Sequence, residues 1–344
     1  MTASDRSQVV SQVLALAQSM GITLDELAAA SARNMDRPSV SVRDYLPAVE
    51  AASTDGAKLT YRPYWRLLVS RLGDQAIAAV KPSHLRALAL EAQRRAVRRS
   101  NSRGGTSARE NCVAALRAFF RLAVEDGLID ESPADKVQKP RRPASRRRGF
   151  TDAELLQLYE VTQSGGDDPV LDSLVLRFHL ETGARRAGAL GLRRRDLDVQ
   201  RQSVRLREKN NTERWQPVSK TLLDALIDHA DLRGATNGDD AVFRRLPRRG
   251  ATVGVPMSRR RYNTLVGRWA RELPWVREQG VSIHWCRHHA TSAIERIAGY
   301  AVARAFAGHA EGSEVTTTYI KAHAHEVARA VAIYTGEEHP LAPL

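Results

Sequence analysis

The sequence predicts a mainly α-helical protein that contains one small β-hairpin and is divided into two lobes. Apolar residues recur at helical spacing through most of the 344 residues. Segments 203–207 and 214–218 alternate like strands and flank a polar turn, which indicates the hairpin. Segment 139–148 contains two prolines and six cationic residues, a composition typical of a linker.

Residues 1–38 are expected to form a helical extension with two short helices. The second helix should begin near Thr23, because Glu26 three residues later completes a capping box. Such a helical pair is consistent with DNA binding, with oligomerisation or with simple packing, and the sequence leaves these alternatives open.

Residues 39–138 are expected to form a compact helical domain. Pro82 occupies a position where a first-turn proline is tolerated, so it predicts the start of one helix. Ser107 and Glu110 have capping-box spacing and predict the start of another. The arginines at the end of the Pro82 helix are either an ordinary solvated helix end or an edge that contacts phosphate.

Residues 139–149 are the predicted basic linker, and residues 150–344 the predicted second domain. Its first helix should begin at Thr151, since Glu154 forms a capping box with it. The hairpin belongs to this domain, which is otherwise expected to be helical and to end in a helix at about 322–335.

The net charge of the chain limits the classes of function that we expect for it. Lys and Arg number 53 against 39 acidic residues, giving a net charge of +14 and a pI near 10.3. This balance indicates a polyanionic partner, most often nucleic acid, although some soluble proteins are merely basic. Two cysteines provide no disulfide framework, and there is no signal-peptide core or membrane-length apolar run. We therefore expect a cytoplasmic, nucleoid-associated protein with no membrane partner.

The segment from 284 to 319 has the residue types needed for phosphoryl transfer. His284 and Arg287 are three residues apart and share a face if helical. A guanidinium can bind a pair of phosphate oxygens, an imidazole can move protons, and the Tyr319 phenol can attack. Tyr300 and Tyr334 are rival nucleophiles on position alone.

Short motifs along the second domain complete a larger pattern around this segment. They are Thr182-Gly183-Ala184-Arg185, the hairpin lysine Lys209, the sequence 284–288 (His-Trp-Cys-Arg-His), Gly308-His309, and the tyrosine segment 316–319. In this order and spacing they resemble the tyrosine recombinase family, which includes phage integrases and Xer-type enzymes. The resemblance covers about residues 39 to 335.

The resemblance implies a site-specific recombinase that cleaves and rejoins DNA through a 3′-phosphotyrosyl intermediate. Two arginines would hold the non-bridging oxygens, the lysine would protonate the leaving 5′-oxygen, and the histidines would move the tyrosine proton and bind the phosphate. The expected catalytic residues are Arg185, Lys209, His284, Arg287, His309 and Tyr319. No metal and no other cofactor is expected, because arginines supply the positive charge and the phosphotyrosyl bond conserves the energy.

Two departures from the family pattern stand out. Gly188 occupies the position, three residues after Arg185, where the family usually has glutamate, which puts the rigid support of that arginine in doubt. The interval from His309 to Tyr319 is also about one residue longer than usual.

The resemblance also implies a two-lobed clamp on a double-stranded DNA recombination site, with a helical core-binding domain and a mixed α+β catalytic domain. Self-association into a tetramer on DNA is expected through the helix at 322–335, with accessory DNA-bending or directionality proteins as further partners. Deleting residues 322–344 should then abolish recombination and leave cleavage partly intact. The candidate DNA contacts are Arg94, Arg95, Arg98, Arg99, Arg141, Arg142, Arg146, Arg147 and Arg214. The alternatives are a type IB-like topoisomerase, or a DNA-binding protein that has lost catalysis.

Overall fold

The structure is a computed structural model that divides into two compact units, Met1–Pro143 and Ala144–Leu344. It describes residues 3–23, 25–26, 39–97, 104–141, 148–207, 213–247, 249–308 and 323–342. Within these ranges the protein is mostly helical with one small antiparallel sheet, as the sequence predicts. None of the described helices is both long and apolar enough to cross a membrane.

The first unit is built from helices, the last four of which in chain order enclose an aromatic core. These are α1 (Ala3–Ser19), α2 (Val42–Ala52), α3 (Asp55–Leu72), α4 (Pro82–Arg95) and α5 (Thr106–Glu125). The largest fully buried side chains in this core are Trp65, Phe119 and Phe120. The Trp65 indole donates a hydrogen bond to the carbonyl of Ala115 at 2.9 Å, which satisfies its polar group and fixes α3 against α5.

The capping signals in the first unit were only partly predictive. Pro82 does open α4, and Thr23 and Glu26 form the predicted reciprocal cap, with Glu26 N–H donating to the Thr23 hydroxyl at 3.2 Å. The cap expected at Ser107 is wrong. Helix α5 begins at Thr106 directly after Gly105, so Ser107 lies inside the first turn.

The second unit places the sheet among helices. Its helices are α6 (Asp152–Ser164), α7 (Pro169–Thr182), α8 (Arg186–Leu190), α9 (Lys220–Leu232), α10 (Arg259–Glu272), α11 (Pro274–Gln279), α12 (His284–Ala307) and α13 (Ala324–Thr335). Helix α12 is interrupted by a kink at Gly299, whose φ is +80°. The predicted capping box at the start of α6 is present. The strands are β1 (Leu197–Asp198), β2 (Ser203–Arg207) and β3 (Glu213–Pro217), all antiparallel in the order β1-β2-β3.

A buried ion-pair network fixes α7 against α10. The Asp172 carboxylate, 1% exposed, accepts hydrogen bonds from Arg261 at 2.6 Å and Arg268 at 3.0 Å. A buried carboxylate is tolerated because two guanidinium groups compensate its charge. This network holds α7, whose C-terminal end leads into the candidate site.

The last helix, α13, packs on its own unit. Val327, Ala330 and Val331 are buried against α12. The chain beyond the helix is also held, since His339 hydrogen-bonds the carbonyl of Gln202 at 2.9 Å. Docking of this helix on a neighbouring protomer therefore stays a prediction.

Candidate active site

A tight turn after α7 positions the first arginine. Gly183 ends the helix with φ +59°, a left-handed conformation that favours glycine. A Cβ at this position would also lie 2.8 Å from the ring of Phe306 in α12, so no larger residue fits without displacing that ring. The turn delivers Arg185, half-buried, to the position directly before α8.

Arg287 lies in the first turn of α12, and its side chain connects the Gly183 turn to the last residue of the same helix. Its buried guanidinium donates to the carbonyl of Gly183 at 2.7 Å and to the carbonyl of Ala307. Both carbonyls lie at helix C-termini, where the helix dipole stabilises a cation. Burial, and secondarily the charge of Arg185, lowers the pKa of Arg287 to about 10. The two arginines are therefore close enough to repel each other.

Arg214 brings a third guanidinium to the same place. It pairs with Leu206 across the sheet, and both side chains point to the buried face, because alternate strand residues face opposite sides. Its side chain lies directly over Gly308, where an added Cβ would be 2.7 Å from Arg214 Cδ. Burial and the charges of Arg287 and Arg185 lower the pKa of Arg214 to about 9. We call Arg185, Arg214 and Arg287 the arginine cluster.

His284 begins α12 one helical turn before His288. Both imidazoles are half-buried, and their ring centroids are 4.9 Å apart in an edge-to-face arrangement. His284 and Arg287 share the first turn of the same helix, so the histidine lies beside the arginine cluster. His289 has a different role, since its Nδ1 accepts a hydrogen bond from the Phe150 backbone at 3.1 Å.

A buried histidine that the sequence did not single out supports the turn. His179 lies 2.9 Å from the carbonyl of Ala184 through Nδ1 and 2.8 Å from the Tyr262 hydroxyl through Nε2. Because a carbonyl can only accept, Nδ1 must hold the proton and Nε2 must accept from the tyrosine. Burial lowers the pKa of His179 to about 4, so the ring is neutral near neutral pH.

These contacts show what surrounds Gly188, which stands where the resembled family usually has a glutamate. A Cβ there would lie 3.6 Å from Leu206 Cδ2 and 3.9 Å from the Cβ of Ala184, so its surroundings are largely apolar. The residue before Arg185 is instead held by His179, and the turn by Arg287. Support for Arg185 therefore comes from the residues around the turn.

Among the predicted catalytic residues, the structure brings Arg185, Arg287 and His284 together. Lys209, His309 and Tyr319 lie outside the described residues.

The predicted DNA contacts divide in the same way. Arg94, Arg95 and Arg141 are exposed, and Arg95 pairs with Glu91 at 2.5 Å. Arg214 belongs to the arginine cluster and lies on the buried face of the sheet. The remaining candidates, Arg98, Arg99, Arg142, Arg146 and Arg147, lie outside the described residues. Contact with DNA stays a prediction for all of them.

Comparison with known proteins gives concordant matches. Residues 148–326 match the model of the phage integrase family. The chain is 32% identical over 248 residues to tyrosine recombinase XerD of Mycobacterium tuberculosis, covering 65% of this chain and 74% of that protein.

Two solved structures share the fold. One is the Tn1549 transposon integrase in complex with transposon right end DNA, with a TM-score of 0.63, 20% identity and coverage of 86% of this chain and 100% of that one. The other is a lambda integrase tetramer bound to a Holliday junction, with a TM-score of 0.60, 16% identity and coverage of 92% and 90%.

Proposed function

Since this chain belongs to the phage integrase family and is a site-specific tyrosine recombinase that cleaves and rejoins DNA, we propose that Tyr319 is its nucleophile. The phenol oxygen attacks a backbone phosphate held by Arg185 and Arg287. A 3′-phosphotyrosyl bond forms while the bond to the 5′-oxygen breaks. His284 takes the tyrosine proton, Lys209 gives a proton to the leaving 5′-oxygen, and His309 hydrogen-bonds the phosphate.

The observation that carries this proposal is the bonding of Arg287. By donating to the carbonyls of Gly183 and Ala307, it joins the turn before Arg185 to the end of the helix that His284 begins. Two cations beside an imidazole suit a phosphate whose negative charge grows in the transition state. Like charges held together in the absence of an anion are unfavourable, and a bound phosphodiester relieves that repulsion.

The environments of the rival tyrosines favour Tyr319. The Tyr334 hydroxyl donates to the carbonyl of Leu180 at 3.1 Å, and burial raises its pKa, so its phenolate is disfavoured. Tyr300 is 58% exposed and stacks its ring near the Arg304 guanidinium, at 5.7 Å. Neither tyrosine is in the motif order that places Tyr319 after the Gly-His pair.

Duplex DNA with a recombination site is the proposed substrate, which the basic charge supports. The lambda integrase tetramer on a Holliday junction supports a tetrameric assembly, in which α13 would dock on a neighbouring protomer. Accessory DNA-bending or directionality proteins and a nucleoid-associated location in the cytoplasm complete the proposal.

Covalent capture from a random DNA library tests the nucleophile and finds the target sequence in one experiment. The full chain is incubated with random duplexes that carry a nick, so that the short 5′-hydroxyl fragment diffuses away after cleavage. Protein-linked DNA is then isolated under denaturing conditions and sequenced. We expect one enriched motif with the wild-type chain and none with Tyr319→Phe. Adducts that persist in Tyr319→Phe would remove this residue from the role.

A further inference from the structure

We propose that Arg214 is a positioning residue of the cleavage site, whose charge helps to hold the scissile phosphate and whose side chain fixes the turn at Gly308. The inference rests on the proposed function, since it assumes a phosphodiester bound at Arg185 and Arg287. It goes beyond that function because Arg214 is not one of the six residues to which chemistry is assigned.

Two contacts of Arg214, and one of its neighbour Arg287, place Arg214 in the site. Its guanidinium donates to the side-chain oxygen of Gln216, which is fully buried and lies two residues along the same strand face. Its stem covers Gly308, and this contact requires a residue without a side chain. The neighbouring carbonyl of Ala307 receives Arg287, so two guanidiniums flank the end of α12. A displaced Arg214 would therefore release the residue that ends this helix.

The positive charge of Arg214 gives this residue a role beyond packing. Arg287 and Arg185 both lower the pKa of Arg214, so all three cations act on one another. Assembling three positive groups at one partly buried point opposes folding and favours binding of an anion there. A phosphodiester at Arg185 and Arg287 would be stabilised by the third charge as well.

Arg205 shows what an arginine without this role looks like. It lies on β2, opposite Trp215, on the other face of the same sheet. It pairs with the buried carboxylate of Asp196 at 2.8 Å and stacks on the Trp215 ring, with the guanidinium carbon 5.7 Å from the centroid. Its positive charge is compensated locally, so Arg205 is the matched control.

The test compares single-turnover cleavage of two duplexes by wild type, Arg214→Lys, Arg214→Met and Arg205→Met. Both duplexes carry the captured site with a nick, and one has a methylphosphonate, which lacks one negative charge, in place of the scissile phosphate. Arg214→Met removes the charge and retains the stem, whereas Arg214→Lys keeps the charge.

We expect Arg214→Met to cleave the phosphodiester about 100-fold more slowly than wild type, with a clearly smaller loss on the methylphosphonate. Arg214→Lys should recover at least about a tenth of the wild-type rate on the phosphodiester. Thermal unfolding checks that each variant is folded, because Arg214→Met removes a like charge and also removes the hydrogen bond to the buried oxygen of Gln216. Arg205→Met should be less stable and should keep the wild-type ratio of the two rates.

Equal losses on both duplexes in Arg214→Met would show a merely structural residue and overturn the proposal. Full phosphodiester activity in Arg214→Met would also overturn it. Failure of the wild type to form a Tyr319 adduct would instead overturn the proposed function, so the two failures are distinguishable.

Discussion

Replacing His179 with glutamine should make the second unit less sensitive to acid. His179 is buried and its folded pKa of about 4 lies below the ordinary value of 6.5. Between these two pH values the unfolded chain binds a proton that the folded chain does not, so the free energy of unfolding falls as the pH falls. Glutamine can still donate to Ala184 and accept from Tyr262, but it has no titrating group.

The size of the effect follows from the shift. A difference of about 2.5 pH units at about 1.4 kcal/mol each corresponds to about 3 kcal/mol, reached near pH 4. By about pH 5 the same linkage removes about 2 kcal/mol relative to about pH 7. Burial also lowers the pKa of His229 and His289, so the wild-type acid sensitivity has further sources that His179→Gln leaves in place.

Urea denaturation at the two pH values measures this directly. The loss of unfolding free energy on going from about pH 7 to about pH 5 should be smaller by about 2 kcal/mol in His179→Gln than in wild type. His325→Gln, a substitution at an exposed histidine, is the control and should behave like wild type. An unchanged loss in His179→Gln would refute a neutral, buried His179 and with it the assigned tautomer.

Three other substitutions test separate parts of the structure. Gly308→Ala should slow single-turnover DNA cleavage by about 10-fold or more, because its methyl would overlap a guanidinium and its φ is +58°. In urea denaturation, Asp172→Asn should lower the free energy of unfolding by about 3–5 kcal/mol, because Arg261 would stay buried without its main partner. Asp167 is exposed, so Asp167→Asn should lower it by less than about 1 kcal/mol. Equal losses would contradict the burial argument. Ile333→Asp, on the exposed side of α13, should leave cleavage intact and reduce recombination at least about tenfold; normal recombination would contradict docking through this face.

The structure also changes the result expected when residues 322–344 are deleted. Val327 and Val331 are buried in the cluster that contains Phe306, and Phe306 packs on the Gly183 turn. Removing α13 would expose this cluster and loosen the turn before Arg185. The deletion is therefore expected to impair cleavage more than the sequence alone suggests, and the single substitution at Ile333 is the cleaner test of docking.

Local signals predicted much of the fold because their physics is local. The Thr151 cap and the Pro82 helix start depend on residues within one turn, and both are present. Ser107 failed as a cap because Gly105 and Thr106 had already begun the helix. The competing cap was only two residues away, and sequence spacing alone could not choose between them.

The long-range contacts that hold the site residues in place could not be predicted from the sequence in the same way. His179 and Tyr262 are 83 residues apart, and no local pattern connects them. The inward direction of Arg214 depends on its pairing with Leu206, so the sequence indicated only a basic residue near the hairpin. Arg185 and Arg287 were identified through motif resemblance, whereas the bonds from Arg287 to two helix ends emerge only from the fold.

Mass spectrometry of the captured protein–DNA complex tests the central claim most directly. After nuclease and protease digestion, we expect a nucleotide attached through phosphate to the peptide that contains Tyr319, and a free 5′-hydroxyl on the released DNA fragment. A nucleotide on the peptide of Tyr300 or Tyr334, or a 5′-phosphate on the released fragment, would contradict it.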